Sequence, residues 1–310
     1  MPSPRKPNPP RQHRATQSQR NAKAPVPSRQ RQGPELVDPR WLLKALAIVF
    51  AAALLCAWGT LWLLYYQGQW QIVLHPSRTV STTPASLGLT FTPLHFADDA
   101  TGSPQLDGWL IPAGTPAART ALFLHGADGS ISNALPQALV LHNAGLNVLL
   151  FDYRGYGRST GKHPSEISMQ QDADAAFNWL TATGHVAPQN IVLYGNGIGA
   201  SLAVELAAQH PQVSAIILDA PDGDLFNRAA RDARSRLVPA RLLFHETFPL
   251  ADALHTLTTP KLLIAYNSST QPPVFASAAN PKTTLELPSP NDPELVPAIQ
   301  RFLDLYLHTH

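Results

Sequence analysis

The stretch that decides the fold is Ile191-Val-Leu-Tyr-Gly195-Asn196-Gly197-Ile198-Gly199-Ala200. Its first four residues are large and apolar, as in a buried strand, whereas residues 200–210 have the apolar spacing of a helix that ends before Pro211. The three alternating glycines between them predict a sharp turn in which the helix packs close against the strand before it. A strand, a tight turn and a helix in direct succession favour a fold with a parallel sheet.

The same alternation extends over residues 70–310 and predicts one large α/β domain with a largely parallel sheet and crossover helices. Continuous apolar runs, typical of strands buried on both faces, predict the strands. They are 106–112, 120–125, 147–152, 190–194, 215–219, 261–266 and 284–287. Helical spacing predicts helices at 133–143, 166–183, 200–210 and 293–307. Residues 225–260 interrupt the alternation, and we interpret them as a helical lid whose arginines form a solvated face.

Two further motifs precede the glycine turn. Leu122-Phe-Leu-His125-Gly126 is a strand followed by His-Gly, and Phe151-Asp152-Tyr-Arg-Gly-Tyr-Gly-Arg-Ser159 follows the next strand. With the glycine turn, they resemble the α/β-hydrolase superfamily, especially its membrane-anchored abhydrolase-domain members and the related serine-aminopeptidase-like hydrolases. The resemblance covers most of residues 70–310. It implies an α/β-hydrolase fold, with a mostly parallel central sheet, helices on both faces and a helical lid.

The resemblance also implies where catalytic residues belong. The glycine turn corresponds to the nucleophile elbow G-x-S-x-G, and Gly197 stands at the serine position. The acid and histidine positions fall at Ser269 and near Pro290, and no histidine lies between residues 260 and 301. Backbone N–H groups of Ala127 and Ile198 match the expected oxyanion donors. The implied structural residues of these motifs are His125, Gly126, Asp152, Gly195 and Gly199.

A serine attacks only when a base removes its proton and an acid orients that base. With all three positions altered, the sequence favours a catalytically inactive pseudohydrolase that binds a ligand or a partner. An acyl or carboxylate compound is the candidate ligand. An active esterase or peptidase with displaced catalytic residues is one alternative, and Ser201 and Asp128 are its candidate residues. The simpler interpretations are that Ser201 is a small packing residue and that Asp128 is a solvated loop carboxylate.

A dinucleotide-binding protein is the other alternative. Gly195-x-Gly197-x-x-Ala200 follows a strand, and Asp219 ends the next one, as in a Rossmann fingerprint. Against it, three predicted strands precede the motif, whereas the fingerprint usually opens its domain. It also leaves the run from Asp152 to Ser159 unexplained. We predict no cofactor and no metal, because the twelve histidines show no metal-binding spacing and the chain has one cysteine, Cys56.

The N-terminal region differs from the rest of the chain. Residues 1–40 are rich in proline and contain nine basic residues against Glu35 and Asp38, which predicts a disordered tail. Residues 41–66 follow, and the part from Ala45 to Tyr66 contains no charge over 22 residues, enough to span a bilayer. The basic flank predicts a cytoplasmic N-terminus, with the domain on the far side of a plasma or inner membrane.

The basic balance of the chain comes from this tail. The whole chain carries a formal charge of +2, so residues 41–310 are net acidic. This argues against a nucleic-acid-binding domain and leaves the lipid bilayer, contacted through residues 41–66, as the expected partner. Nothing in the sequence indicates the oligomeric state.

Overall fold

The computed structural model describes residues 38–97, 104–115, 118–222, 225–267 and 273–307. Most of the predicted tail, and Ser269, lie outside these residues. The chain divides into two compact units, Met1–Leu54 and Leu55–His310. The described part of the first unit is the beginning of helix α1 (Pro39–Gly68), which covers the predicted helix 41–66 with two more residues at each end. An 18-residue stretch of α1 has a mean hydropathy of 2.2, so the helix is long and apolar enough to cross a membrane.

A central sheet organises the second unit. Within the described residues the strands are β1 (His75–Pro76), β2 (Thr92–Ala97), β3 (Pro104–Ile111), β4 (Thr120–Leu124), β5 (Asp128–Gly129), β6 (Asn147–Phe151), β7 (Ile191–Asn196), β8 (Ala215–Asp219), β9 (Lys261–Tyr266) and β10 (Lys282–Leu287). Eight of these described strands form one sheet in the order β10-β9-β8-β7-β4-β6-β3-β2. Strand β3 runs antiparallel to β2 and β6, and the other pairs are parallel. Strands β1 and β5 form a separate parallel pair.

Helices cover both faces of this sheet. They are α2 (Trp70–Val73), α3 (Leu135–Asn143), α4 (Glu166–Asn178), α5 (Gly199–Gln209), α6 (Leu225–Ala230), α7 (Ala240–Leu243), α8 (Ala251–Thr256), α9 (Pro273–Ser277) and α10 (Leu295–Leu307). One buried apolar cluster contains Phe177 of α4 and Leu202 of α5, and the second contains Leu141 of α3 and Ile299 of α10. The mostly parallel sheet with helices on both faces confirms the predicted fold class.

The region predicted to be the lid contains short helices. Helices α6, α7 and α8 and the 3-10 turn Ala233–Arg236 occupy most of it, and residues 225–256 contain no strand. Strand β7 positions the functional site, because it lies between β4 and β8 near the centre of the sheet and its carboxyl end leads into α5. Ligands of open α/β sheets bind at this edge.

Candidate functional site

The glycine turn between β7 and α5 has the geometry of a nucleophile elbow. Gly197 lies at its apex with φ +57°, in the left-handed region that favours glycine. A Cβ added to Gly195 would lie 2.4 Å from Gly199 O, and one added to Gly199 would lie 2.1 Å from Leu124 O. These two glycines are therefore required by close packing of the helix on the strands.

Gly197 itself faces open space. A Cβ there would meet only Asp222 Oδ2 at 3.5 Å and Gly126 Cα at 3.7 Å, which are ordinary contact distances. A side chain at this position would project from the elbow, as a nucleophile must. Because glycine has no side chain, the apex offers no group that attacks a substrate.

A cavity of about 330 Å³ lies in front of the elbow. Its lining includes the apex, the loop after β4, the start of α3 and a charged pair near α6. The lining residues are His125, Gly126, Ala127, Asp128, Ser130, Asn133, Ala134, Gln137, Asn196, Gly197, Asp222 and Arg228. The lining brings together Gly197, His125, Gly126 and Ala127, four of the residues that the sequence predicted for the site.

The predicted oxyanion donors are Ala127, which lies on the loop after β4, and Ile198, which follows Gly197 in the chain. The Ala127 carbonyl accepts hydrogen bonds from His75 N (2.9 Å) and Tyr156 Oη (2.8 Å), which hold the peptide between Ala127 and Asp128. Ile198 directly precedes α5, so its N–H lies at the positive end of the helix dipole. No described group accepts a hydrogen bond from the N–H of either residue. Ala127 lines the cavity, whereas Ile198 is 1% exposed and is not among its lining residues, so the pairing of the two N–H groups as oxyanion donors stays a prediction.

His125 and Asp152 support the loop that carries Ala127. The His125 ring is buried, with Nδ1 2.9 Å from Gly126 O and Nε2 4.0 Å from Asp152 Oδ1. Burial lowers the pKa of His125 to about 4, so the ring is neutral at pH 7. Asp152 Oδ1 accepts from Ile131 N (2.8 Å). Burial raises the pKa of Asp152 to about 7, although this hydrogen bond opposes the shift. These contacts fit the structural role predicted for both residues.

Of the three triad-equivalent positions, only Gly197 is among the described residues that line the cavity. Pro290 is exposed in the turn after β10, and Ser269 lies outside the described residues. His125 is the only histidine among the described residues that line the cavity, and its Nε2 faces Asp152. No imidazole that lines the cavity is therefore placed to deprotonate a nucleophile at Gly197.

Sequence reasoning missed a histidine–carboxylate contact and an ion pair at the cavity. His75 Nδ1 lies 2.7 Å from Asp128 Oδ1, and Arg228 Nη2 lies 2.6 Å from Asp222 Oδ1. Burial raises the pKa of Asp222, Arg228 opposes this shift, and Asp128 adds to it. The His75 pair depends on the β1–β5 ladder, and strands of two residues leave no periodic signal in a sequence.

Gln137 of α3 is a second feature that the sequence did not reveal. Its Oε1 atom is buried at the cavity wall and, among the described residues, accepts no hydrogen bond. A buried amide oxygen without a donor costs free energy unless a ligand or water supplies one. Gln137 Oε1 is therefore a buried acceptor at the cavity that has no donor among the described residues.

Two residues considered in the alternatives are engaged in structural contacts. Ser201 is buried in α5, its hydroxyl donates to Pro249 O, and it is not among the residues that line the cavity. Asp219 is 1% exposed, accepts hydrogen bonds from Tyr194 Oη and Asn196 Nδ2, and has a pKa raised by burial. A dinucleotide-binding site needs this carboxylate for a ribose, so the geometry does not favour that alternative.

The sheet, the flanking helices and the glycine elbow together define an α/β-hydrolase fold. Solved structures with this fold are similar to the chain: the Pyrococcus furiosus esterase Pf2001 has a TM-score of 0.57 at 20% identity, covering 76% of this chain and 98% of that one. An α/β hydrolase from Vibrio vulnificus has a TM-score of 0.54 at 23% identity, covering 74% and 86%. At these identities the likeness concerns the fold.

A family model described as serine aminopeptidase, S33, matches residues 115–283, which is more than half of the chain. An uncharacterized protein of Mycobacterium tuberculosis is 36% identical over 214 residues, covering 64% of this chain and 75% of that protein. The chain therefore belongs to the serine aminopeptidase (S33) family of α/β hydrolases. It is also similar to the human alpha/beta hydrolase domain-containing protein 17C, at 34% identity over 47% of this chain and 42% of that one. Protein bem46 of Schizosaccharomyces pombe is 36% identical over 37% and 39%.

Proposed function

We propose that this protein is a membrane-anchored pseudohydrolase, which uses the hydrolase cavity to bind a ligand without cleaving it. The observation that carries the proposal is Gly197 at the apex of the elbow, with φ +57° and open space where a serine side chain would project. The absence of a histidine between residues 260 and 301 supports it further. The apolar helix α1 supports anchoring, and its basic N-terminal flank supports a cytoplasmic N-terminus.

The cavity chemistry favours a neutral acyl ligand over a carboxylate. Asp128 and Asp222 line the cavity with a single opposing Arg228, so an anionic ligand would meet net negative charge. The N–H groups of Ala127 and Ile198 fit a carbonyl oxygen, and Gln137 Oε1 fits an N–H donor. An amide has both groups, so we propose a ligand that contains an acyl amide.

Binding to the purified chain tests this proposal. By calorimetry at pH 7, an amide should bind more tightly than the ester or the free acid with the same acyl chain. The Gln137→Met variant keeps the side-chain length but removes the acceptor, and should weaken amide binding by about tenfold. Ester binding should not change in that variant, and Gln300→Met, on α10, should leave both unchanged. Equal binding of the free acid and the amide would contradict the assignment.

One contact at the cavity supports an enzymatic function as a second candidate. His75 Nδ1 is held by Asp128 Oδ1 at 2.7 Å, which is how a catalytic base is oriented by an acid, and Asp128 lines the cavity. In this second candidate, His75 would activate a water molecule for a displaced hydrolase reaction. The His75→Gln variant separates the two functions, since it would abolish turnover in the enzyme and would leave amide binding intact in the pseudohydrolase.

A further inference from the structure

The lid is fastened along one side of the C-terminal part of α1. Two hydrogen bonds join them, Trp58 Nε1 to Leu237 O (3.2 Å) and Tyr65 Oη with Ser235 Oγ (3.1 Å). A third follows directly after the end of α1, from Gln69 Nε2 to Leu243 O (3.0 Å). Trp58 and Tyr65 are seven residues apart, so they lie on one face of α1, about 10 Å apart along its axis.

This contact brings the lid to the level of the apolar segment. The uncharged stretch from Ala45 to Tyr66 matches the length that a bilayer core requires. Trp58 lies eight residues before Tyr66, which is about 12 Å along the helix axis. Trp58, Trp62, Tyr65 and Tyr66 form an aromatic end of α1 that fits the membrane interface. When α1 spans a membrane, the lid backbone at Leu237, which Trp58 contacts, therefore lies at the level of the interface rather than in bulk water.

The lid tip, which we define as residues 233–243, has the surface that such a location requires. Leu237 is 60% exposed and Leu242 is 82% exposed. Residues 225–245 contain five arginines and one acidic residue, and Arg236 and Arg241 are exposed beside these leucines. Exposed leucines next to arginines fit the boundary between acyl chains and anionic headgroups.

A crevice lies between the lid tip and the helix. Its volume is about 590 Å³, and its walls are mainly apolar. They include Leu61 and Leu64 of α1, Ile72 of α2 and Val238 of the lid tip, with Arg234 among the remaining lining residues. A crevice beside a membrane-spanning segment opens where lipid chains are the solvent, so its natural occupant is an acyl chain.

We infer that the lid tip is embedded in the bilayer leaflet next to the domain. Leu237 and Leu242 enter the acyl region, Arg236 and Arg241 bind lipid phosphates, and the crevice holds an acyl chain of a phospholipid. This inference rests on α1 spanning the membrane and is independent of whether the cavity at Gly197 binds or cleaves a ligand.

Collision measurements on single spin labels test this location. Cys56 is the only cysteine, so Cys56→Ser provides the background for Leu237→Cys and Leu242→Cys in the full chain, reconstituted in lipid nanodiscs. Leu305→Cys on α10 is the matched control, since Leu305 is also 60% exposed. Phe50→Cys in α1 reports whether the anchor itself lies in lipid.

We expect labels at Leu237 and Leu242 to collide several-fold more often with oxygen, and less often with a water-soluble nickel chelate, than the label at Leu305. The contrast between the lid labels and the Leu305 label should be larger in phosphatidylglycerol-rich bilayers than in phosphatidylcholine bilayers. Replacing both arginines, Arg236→Gln with Arg241→Gln, should remove this difference between the two lipids.

Lid labels that are as accessible to nickel as the Leu305 label, with the Phe50 label in lipid, would overturn the inference while leaving the anchor and the cavity proposal intact. A lid shielded from both reagents would also overturn it, because protein would then cover the surface. A Phe50 label that lies in water would also overturn the inference, because the inference requires α1 to span the membrane.

Discussion

At the scale of single residues, three glycines within five positions have different functions. Gly195 and Gly199 fill sites in which any Cβ would collide with backbone, whereas Gly197 has space but an unusual φ of +57°. The sequence motif predicted the elbow because its glycines have a steric cause that is visible in the pattern. It could not reveal Gln137 or Asp222, which enter the cavity only through tertiary packing.

The glycines give a direct stability comparison. We expect Gly199→Ala to lower the free energy of unfolding by at least about 3 kcal/mol, because the new methyl would lie 2.1 Å from the Leu124 carbonyl oxygen. Gly197→Ala should cost only about 1–2 kcal/mol, the strain of a left-handed alanine. Urea unfolding of both variants in the same detergent measures the two costs. Equal costs would contradict the packing at the elbow.

His125 predicts a pH dependence. Its pKa falls from the ordinary 6.5 to about 4 in the folded chain because the ring is buried. Between pH 6.5 and 4 the unfolded chain therefore takes up a proton that the folded chain does not, and stability decreases as the pH falls. The shift corresponds to a loss on the order of 3 kcal/mol.

The variant His125→Gln isolates this effect, because glutamine does not titrate. The destabilisation that the substitution causes, measured by urea unfolding, should shrink as the pH is lowered from 7 to 4. The difference between variant and wild type also cancels the titration of groups that lie far from His125. Asp152, which lies 4.0 Å from the ring, acts in the opposite direction, because its raised pKa makes its stability contribution decrease as the pH rises from about 4 to 7. A cost independent of pH would show that His125 titrates normally.

At the scale of elements, the contact between Gln69 and the lid makes the next prediction. Gln69 is 1% exposed, donates to Leu243 O at 3.0 Å and accepts from His245 N at 2.7 Å. In Gln69→Ala we expect faster amide hydrogen exchange over residues 233–245, with little change in the central strands, because the lid loses a local fastening. Gln300→Ala, which removes one exposed hydrogen bond to Asn143 O, should leave lid exchange unchanged. If amide exchange over residues 233–245 is unchanged in both variants, Gln69 does not stabilise the lid.

The helices and strands could be predicted where their burial leaves a recognisable apolar pattern in the sequence. Strands 215–219 and 261–266 have the predicted bounds, because continuous apolar runs mark strands buried on both faces. Strand β2 (Thr92–Ala97) was missed because it is an edge strand in which half of the residues are exposed and which has no continuous apolar run. The helix predicted at 166–183 is α4 followed by a π-helical turn, Trp179–Thr183, a change of pitch that apolar spacing does not reveal.

At the scale of the whole molecule, orientation in the membrane is a prediction. Nine basic residues precede position 41, whereas the first twenty residues after Tyr66 contain only Arg78. Basic flanks stay in the cytoplasm, so the domain should lie on the other side. A reporter active only in the cytoplasm should be silent at the C-terminus and active at the N-terminus. Activity at the C-terminus would reverse the orientation.

The central claim concerns turnover, and hydrolysis of activated esters and peptides by the stringently purified chain tests it most directly. We expect no turnover above buffer and no labelling by a fluorophosphonate probe. Gly197→Ser alone should also be inactive, because the one histidine among the described residues that line the cavity, His125, is buried with its Nε2 facing Asp152. Gly197→Ser combined with Ser269→Asp and Pro290→His should recover weak esterase activity if the oxyanion donors are intact. Robust wild-type turnover that disappears in His75→Gln, Asp128→Ala or Ser201→Ala would contradict the claim and establish a displaced catalytic site.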